Sequence, residues 1–160
     1  MKNEKRVTLS SEGGVLLMTK KLGELMSKNV ISVSPTQTIE EAANLMSQYN
    51  VGSLPVVENN QLKGIITDRD ITLRSTAKGG NEKETVSNCM SSQNLVSGNP
   101  DMSADEAASV MAQNQIRRLP VVDQNQMVGM VALGDLATAH DSQSEAGEAL
   151  QSISTPSEPQ

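Results

Sequence analysis

Asp70 and Asp135 are the two carboxylates whose surroundings recur in this chain. Each ends a similar run: Gly64-Ile65-Ile66-Thr67-Asp68-Arg69-Asp70 and Gly129-Met130-Val131-Ala132-Leu133-Gly134-Asp135. In both, a strand is expected to hand over to a helix. A carboxylate at such a place can accept two vicinal hydroxyls, one on each oxygen. It can equally serve backbone N–H groups at the helix start. Thr67 adds a hydroxyl beside helix N-terminal N–H groups, which suits a sugar or phosphate oxygen. Its plainer reading is a β-branched strand residue. Ala132 stands at the matching place and has no hydroxyl. Arg117 and Arg118 occupy the positions of Gly52 and Ser53. A guanidinium is suited to bidentate contact with phosphate. Side chains alternate along a strand, so at most one of the pair would enter a given site. The plainer reading is a solvated surface pair. Gly52 and Ser53 leave room for a flat base near the backbone.

These residues belong to an internal repeat with an offset of 65 positions. From Pro35/Pro100 to Ile71/Leu136 the register holds without a gap, with 14 identities in 37 pairs. Leu54-Pro55-Val56-Val57-Glu58 and Leu119-Pro120-Val121-Val122-Asp123 are its centre. Such self-similarity means two copies of one supersecondary unit. A unit of about sixty residues buries too little surface alone, so the copies are expected to pack together.

The elements that position the carboxylates follow from local pattern. Val30 to Val33 reads as a short strand ended by Pro35. Thr38 with Glu41, and Ser103 with Glu106, form capping boxes. Ile39, Ala42, Ala43 and Met46 fall at i, i+3, i+4 and i+7, one helical face; Ala104, Ala107, Ala108 and Met111 repeat it. Ser53 to Glu58, a polar turn and Leu62 to Thr67 read as a hairpin. A second helix starts near Asp70. Each unit is therefore β-α-β-β-α, giving a mixed α+β fold. Leu22 to Met26 and Val86 to Met90 are similar lead-in segments, now offset by 64. The expected organisation is an extension over 1–17, a first repeat over 18–76, a linker over 77–85, a second repeat over 86–140 and a tail over 141–160. The extension and the end of the tail are expected to be disordered. Ala146, Ala149, Leu150 and Ile153 have helical spacing and predict a short docking helix.

Composition narrows the partners. There is no Phe or Trp, and Tyr49 is the one aromatic residue, so a bound base would be gripped by aliphatic side chains. Val30, Val51, Ile65, Ile66, Ile116 and Val131 are candidates, although each also fits plain core. A net charge of −6 argues against a polyanion as the main partner. Cys89 and His140 are each single in the sequence, which leaves no disulfide within the chain and no cysteine metal cluster. Their plain readings are a buried apolar residue and a surface histidine. No segment approaches the ~18 apolar residues of a membrane helix. A soluble, cytoplasmic protein is expected.

The repeated series resembles the CBS (cystathionine-β-synthase) domain family in tandem, the arrangement called a Bateman module. The matching residues are Val33, Pro35, Ala42, Met46, Leu54 to Val57 and Gly64 to Asp70. In the second repeat they are Pro100, Ala107, Met111, Arg117 to Asp123, Gly129 to Val131 and Asp135. Gly98, where the first repeat has Val33, departs from the pattern. The resemblance covers about Met18 to Ala139 and is nearest to stand-alone bacterial two-domain proteins. It implies two units packed by their sheets about a pseudo-two-fold axis. Clefts between them would bind an adenosine-containing effector: AMP, ADP, ATP, S-adenosylmethionine or an NAD-like molecule. In the family, the aspartate at Asp70 and Asp135 accepts the ribose hydroxyls, and basic residues near Arg117 and Arg118 reach phosphate. The resemblance also implies a homodimer and an output protein outside this chain, with no required cofactor.

An enzyme is disfavoured by the residues themselves. The repeats use about 120 residues and leave no room for a ~250-residue barrel such as accompanies this module in inosine-monophosphate dehydrogenases. There is no Cys/His pair and no phosphate-binding G-x-x-x-x-G-K-[ST] run. The remaining alternative is an adaptor for protein or nucleic acid, with empty clefts and Arg117 and Arg118 facing the partner.

Overall fold

The computed structural model describes residues 7–9, 16–18, 20–138, 149, 150 and 153. Strand β1 (Val7–Leu9) pairs antiparallel with β2 (Leu16–Met18), Val7 opposite Met18 and Leu9 opposite Leu16. This hairpin lies in the stretch expected to be a disordered extension. After it come α1 (Leu22–Leu25), α2 (Ile39–Tyr49), β3 (Ser53–Glu58) and β4 (Gln61–Thr67). Helix α3 (Asp68–Asp70) runs on through a π-helical turn, Ile71–Ser75, and a 3₁₀ turn, Thr76–Lys78. Then follow α4 (Val86–Cys89), α5 (Ala104–Asn114), β5 (Arg118–Asp123), β6 (Gln126–Ala132) and α6 (Leu133–Thr138).

The chain forms two compact units. The first-repeat unit holds Asn29–Leu95 and the turn segment Val122–Met127. The second-repeat unit holds the described residues up to Lys28, Val96–Val121 and the described residues from Val128 onward. Each unit is therefore completed by the lead-in of the other repeat. In the second-repeat unit, the Leu22 N–H donates to the Met102 carbonyl (2.9 Å), the Gly23 N–H to Pro100 (3.0 Å) and the Ala104 N–H to Lys20 (2.9 Å). Ser27 and Met130 exchange two bonds, of 2.8 and 3.0 Å. In the first-repeat unit, the Val86 N–H donates to Gln37 (2.8 Å) and the Ser87 N–H to Pro35 (3.0 Å), while Ile65 and Ser91 exchange bonds of 2.9 and 2.8 Å.

Two glycines make these approaches possible. A β-carbon on Gly64 would lie 2.8 Å from Met90 Sδ, and one on Gly129 2.6 Å from Met26 Sδ. Only a residue without a side chain lets the strand come this close to a foreign segment.

Both capping boxes form as expected. The Glu41 N–H donates to Thr38 Oγ1 (3.2 Å), and the Thr38 N–H to Glu41 Oε2 (3.0 Å). The Ile39 and Glu40 N–H groups donate to the Glu84 and Glu82 carbonyls (2.9 and 3.2 Å), and the Ala42 N–H to Thr38 (3.1 Å). All four first-turn donors of α2 are thus satisfied. Ser103 and Glu106 repeat the box at 3.1 and 3.2 Å.

The hairpins close by two-residue turns. Asn59 and Asn60, then Gln124 and Asn125, all have positive φ, which is the type I′ pattern. The strand expected over Val30 to Val33 shrinks to a single parallel bridge, Val33 with Val56. Gly98 with Val121 repeats it. Pro55 and Pro120 have no N–H to give, but their carbonyls accept from Val33 (3.1 Å) and Gly98 (2.8 Å).

Each unit has an aliphatic core. One gathers Val33, Ile39, Ala42, Met46, Leu54, Val56, Ile66, Val86 and Cys89. The other gathers Leu22, Ala104, Ala107, Ala108, Met111, Leu119, Val121, Val131, Leu133, Leu136 and Ala149. The expected apolar face of α2 is corrected at one position: Ala43 is exposed, whereas Ala108 is buried. Helical Ala149 and Ile153 join the core of the second-repeat unit, and Leu150 stays exposed. In the first-repeat unit, Ala43 instead borders an open pocket of about 360 Å³ with Ile39, Ile71, Ser75 and Glu82. Ala146 and His140 lie outside the described residues.

Candidate functional site

At the end of β4, Thr67 is the N-cap and Asp70 the third residue of the turn it starts. The Thr67 N–H donates to Asp70 Oδ2 (3.0 Å), and the Asp70 N–H donates to Thr67 Oγ1 (3.0 Å). The backbone role weighed for Asp70 is therefore real, but the cap itself is Thr67. Asp70 is the reciprocal carboxylate of the box. Its other oxygen, Oδ1, stands 3.7 Å from Arg74 Nε. That guanidinium in turn donates through Nη1 to the carbonyls of Cys89 and Met90, both at 3.0 Å. Those carbonyls end α4, where a cation is favoured by the helix dipole. The Asp70 side chain is 15% exposed, so it is held from two sides yet still open to solvent. A carboxylate offers about four lone-pair sites, and the contacts to Thr67 and Arg74 leave some for incoming hydroxyls.

The second-repeat unit keeps part of this device. The Ala132 N–H donates to Asp135 Oδ2 (3.0 Å), matching the bond at Thr67. Ala132 has no hydroxyl to return the contact, so the box is half formed. Position 139, which corresponds to Arg74, is Ala.

A further pair of bonds shows that the two corners share one backbone geometry. The Asp68 N–H donates to the Gly52 carbonyl (3.0 Å), and the Leu133 N–H donates to the Arg117 carbonyl (2.8 Å). Gly52, Thr67, Asp68 and Asp70 thus meet in the first-repeat unit. Arg117, Ala132, Leu133 and Asp135 meet in the second. Arg117 and Arg118 are both exposed, with Arg118 starting β5. Among the described residues, neither guanidinium forms an ion pair. Ser53 opens β3 opposite Thr67.

The proposed aliphatic walls divide by burial. Ile66 and Val131 are fully buried in their cores. Val30, Val51, Ile65 and Ile116 are part-buried, and Val51 and Ile116 pack against their own clusters.

Sequence reasoning passed over Arg74, Asp68, Ser75 and Glu84. Arg74 had a usable signal, since it lies one helical turn beyond Asp70. Ser75 is 1% exposed and donates to Glu84 Oε2 at 2.6 Å, tying the turn after Asp70 to the linker. Lys83 pairs with Glu40 at 3.1 Å, and this hydrogen bond raises its pKa. Burial pushes the Cys89 thiol up; the Glu84 and Asp70 carboxylates add to this, and Arg74 opposes it. No group of three or more His, Cys, Asp or Glu among the described residues could hold a metal. No helix among them is long and apolar enough to cross a membrane.

Comparison with known proteins finds the same family in both repeats. The model of the CBS domain matches residues 22–75 and 86–142. The chain is 58% identical over 131 residues to CBS domain-containing protein YhcV of Bacillus subtilis, covering 82% of this chain and 93% of that one. Among solved structures, the CBS domain pair of protein MJ0100 in complex with 5′-methylthioadenosine and S-adenosyl-L-methionine has a TM-score of 0.66 at 28% identity. The match covers 78% of this chain and 98% of that one. CBSX2 in complex with AMP has a TM-score of 0.66 at 25% identity, covering 75% and 95%.

Proposed function

This chain is a member of the CBS domain family, and from that membership we propose that it is a regulatory module whose signal is an adenosine-containing ligand. The observation that carries the reading is the Asp70 carboxylate. Its orientation is fixed by Thr67 on one oxygen and by Arg74 on the other. A preset acceptor spends little ordering entropy when it takes two vicinal ribose hydroxyls. Asp135 shares one of these contacts, from the Ala132 N–H. The ligands named for MJ0100 and CBSX2 all carry adenosine, which supports that ligand class here. The module acts by binding, without catalysis, and needs no cofactor. Pairing into a homodimer, a cytoplasmic setting and an output protein outside this chain belong to the same proposal.

The test is thermal unfolding against adenosine, AMP, ATP and S-adenosylmethionine. A ligand at 100 times Kd stabilises by ~2.7 kcal/mol. At roughly 2–4 °C per kcal/mol this is a shift of several degrees. Asp70→Asn keeps an acceptor for the Thr67 N–H and removes the carboxylate. It should keep the unliganded Tm and lose the shift. No shift with any of the four would sink the reading.

A further inference from the structure

One side chain, Arg74, joins Asp70 to the end of α4. Its Nε stands 3.7 Å from Asp70 Oδ1, and its Nη1 donates to the Cys89 and Met90 carbonyls, both at 3.0 Å. The turn that carries it, Ile71–Ser75, is π-helical, a form found often at functional sites. The next residue, Ser75, is buried and donates to Glu84 Oε2 at 2.6 Å. The Gly80 N–H donates to the Ser75 carbonyl (2.9 Å), and a β-carbon on Gly80 would press on the Ser75 hydroxyl. Asp70 thus shares one short helical stretch with side chains that grip both the linker and α4. Beyond Met90, Ser91 exchanges bonds with Ile65, and the chain runs on to Val96, where the second-repeat unit takes it up. In the second repeat, Ala139 stands at the position of Arg74 and His140 at that of Ser75.

We infer that Arg74 couples occupancy of the Asp70 corner to the docking of α4, so that a ligand there tightens the segment leading toward the second repeat. The inference rests on the adenosine reading above and adds the route by which its signal leaves the corner. Arg74 is a positioning residue, because it acts through Asp70. One orientation of that carboxylate serves both partners. The Thr67 N–H holds Oδ2, Arg74 faces Oδ1, and incoming hydroxyls need the same group in the same place. A bound ligand already orders Asp70, so Arg74 finds its counter-ion fixed and loses less freedom on pairing with it. The 3.7 Å separation is longer than a hydrogen bond, which leaves the lone pairs of Oδ1 to the hydroxyls. On its far side, Arg74 supplies donors to carbonyls that the last turn of α4 cannot satisfy itself. Loss of that hold lets α4 open locally while the rest of the unit stays folded. Such coupling is reciprocal: whatever frees α4 also weakens the ligand. It belongs to one corner, since Ala139 carries no cation.

The test is amide hydrogen exchange of the full chain, read by NMR at Met90 and Ser91, with and without saturating AMP or S-adenosylmethionine. Wild type, Arg74→Ala and Arg74→Lys are compared, and titration calorimetry gives their affinities. The Met90 N–H is bonded to the Val86 carbonyl and the Ser91 N–H to Ile65, so both amides report the docking of α4. In wild type, whichever ligand binds should slow both amides about fivefold, the low end of measured couplings. Arg74→Ala should speed their exchange about tenfold without ligand, the scale of losing a charged donor. It should also abolish the slowing and weaken the ligand about fivefold. Arg74→Lys keeps the cation without the planar fork and should restore the slowing in part. A ligand that binds wild type and leaves Met90 and Ser91 unchanged would overturn the inference while the adenosine reading stands. Slowing that survives in Arg74→Ala would overturn it as well. Failure of the wild type to bind either ligand would remove both.

Discussion

The Gly64 α-carbon passes so close to Ser91 that a β-carbon on it would stand 2.8 Å from the Ser91 carbonyl oxygen. Gly129 has the same relation to Ser27, at 2.9 Å. In each case the obstruction includes backbone from the lead-in of the other repeat, beside the Met90 or Met26 side chain.

Backbone cannot swing aside as a flexible side chain can. Gly64→Ala and Gly129→Ala should each cost about 2–3 kcal/mol, in the range of overpacked cores. Chemical denaturation checks this. Gly134→Ala is the control, because nothing stands within 4 Å of a β-carbon there. A loss at Gly134 equal to that at Gly64 would refute the steric explanation.

The half-formed box at Ala132 can be completed. Thr67→Ala should cost about 1 kcal/mol, the usual value of a lost N-cap. Ala132→Thr should supply the hydroxyl that the second box lacks and stabilise by about 0.5–1 kcal/mol. Urea midpoints would measure both. A destabilising Ala132→Thr would show that the second corner does not share the geometry of the first.

Cys89 makes stability fall at high pH. Its thiol pKa is raised in the folded protein, burial being the first cause. Above the ordinary thiol range the unfolded chain loses its proton while the folded chain keeps it. Stability contributed by the neutral thiol is thus complete below the unfolded pKa and is lost as pH rises toward the folded one. Wild type should lose stability above about pH 9 more steeply than Cys89→Ala, whose baseline will be lower from the cavity it leaves. The readout is the free energy of unfolding from pH 7 to 10; parallel curves would contradict the assignment. The same burial should keep Cys89 slow toward thiol reagents in the native protein.

The repeat was legible because hydrophobic period, capping boxes and turn residues are local signals. Thr38 with Glu41, the Asn59-Asn60 turn and the Leu54-Pro55-Val56-Val57 strand all depend on neighbours within a few residues. The strand-to-helix corners at Asp70 and Asp135 were legible for the same reason. The strand expected at Val30 to Val33 failed because only Val33 meets a partner, Val56, and pairing is not a local property. Ala43 and Ala108 occupy the same helical position but differ in burial. The difference comes from what covers each helix, which periodicity does not encode. Arg74 offered one local signal, its spacing from Asp70, but its carbonyl partners Cys89 and Met90 lie fifteen and sixteen residues onward. The Gly64/Gly129 identity was visible as a match, but its cause lay in segments distant in sequence.

The exchange of lead-in segments sets a timetable for synthesis. The first-repeat unit has its strand-pairing partner for Ile65 once Ser91 is made. Ser27 must wait for Met130, roughly a hundred residues later. At ~5–20 residues per second that is a delay of about 5–20 seconds. During it, Leu22 has left the ribosome without the core that will bury it. The nascent chain therefore carries an unclosed apolar end while its middle is already folding.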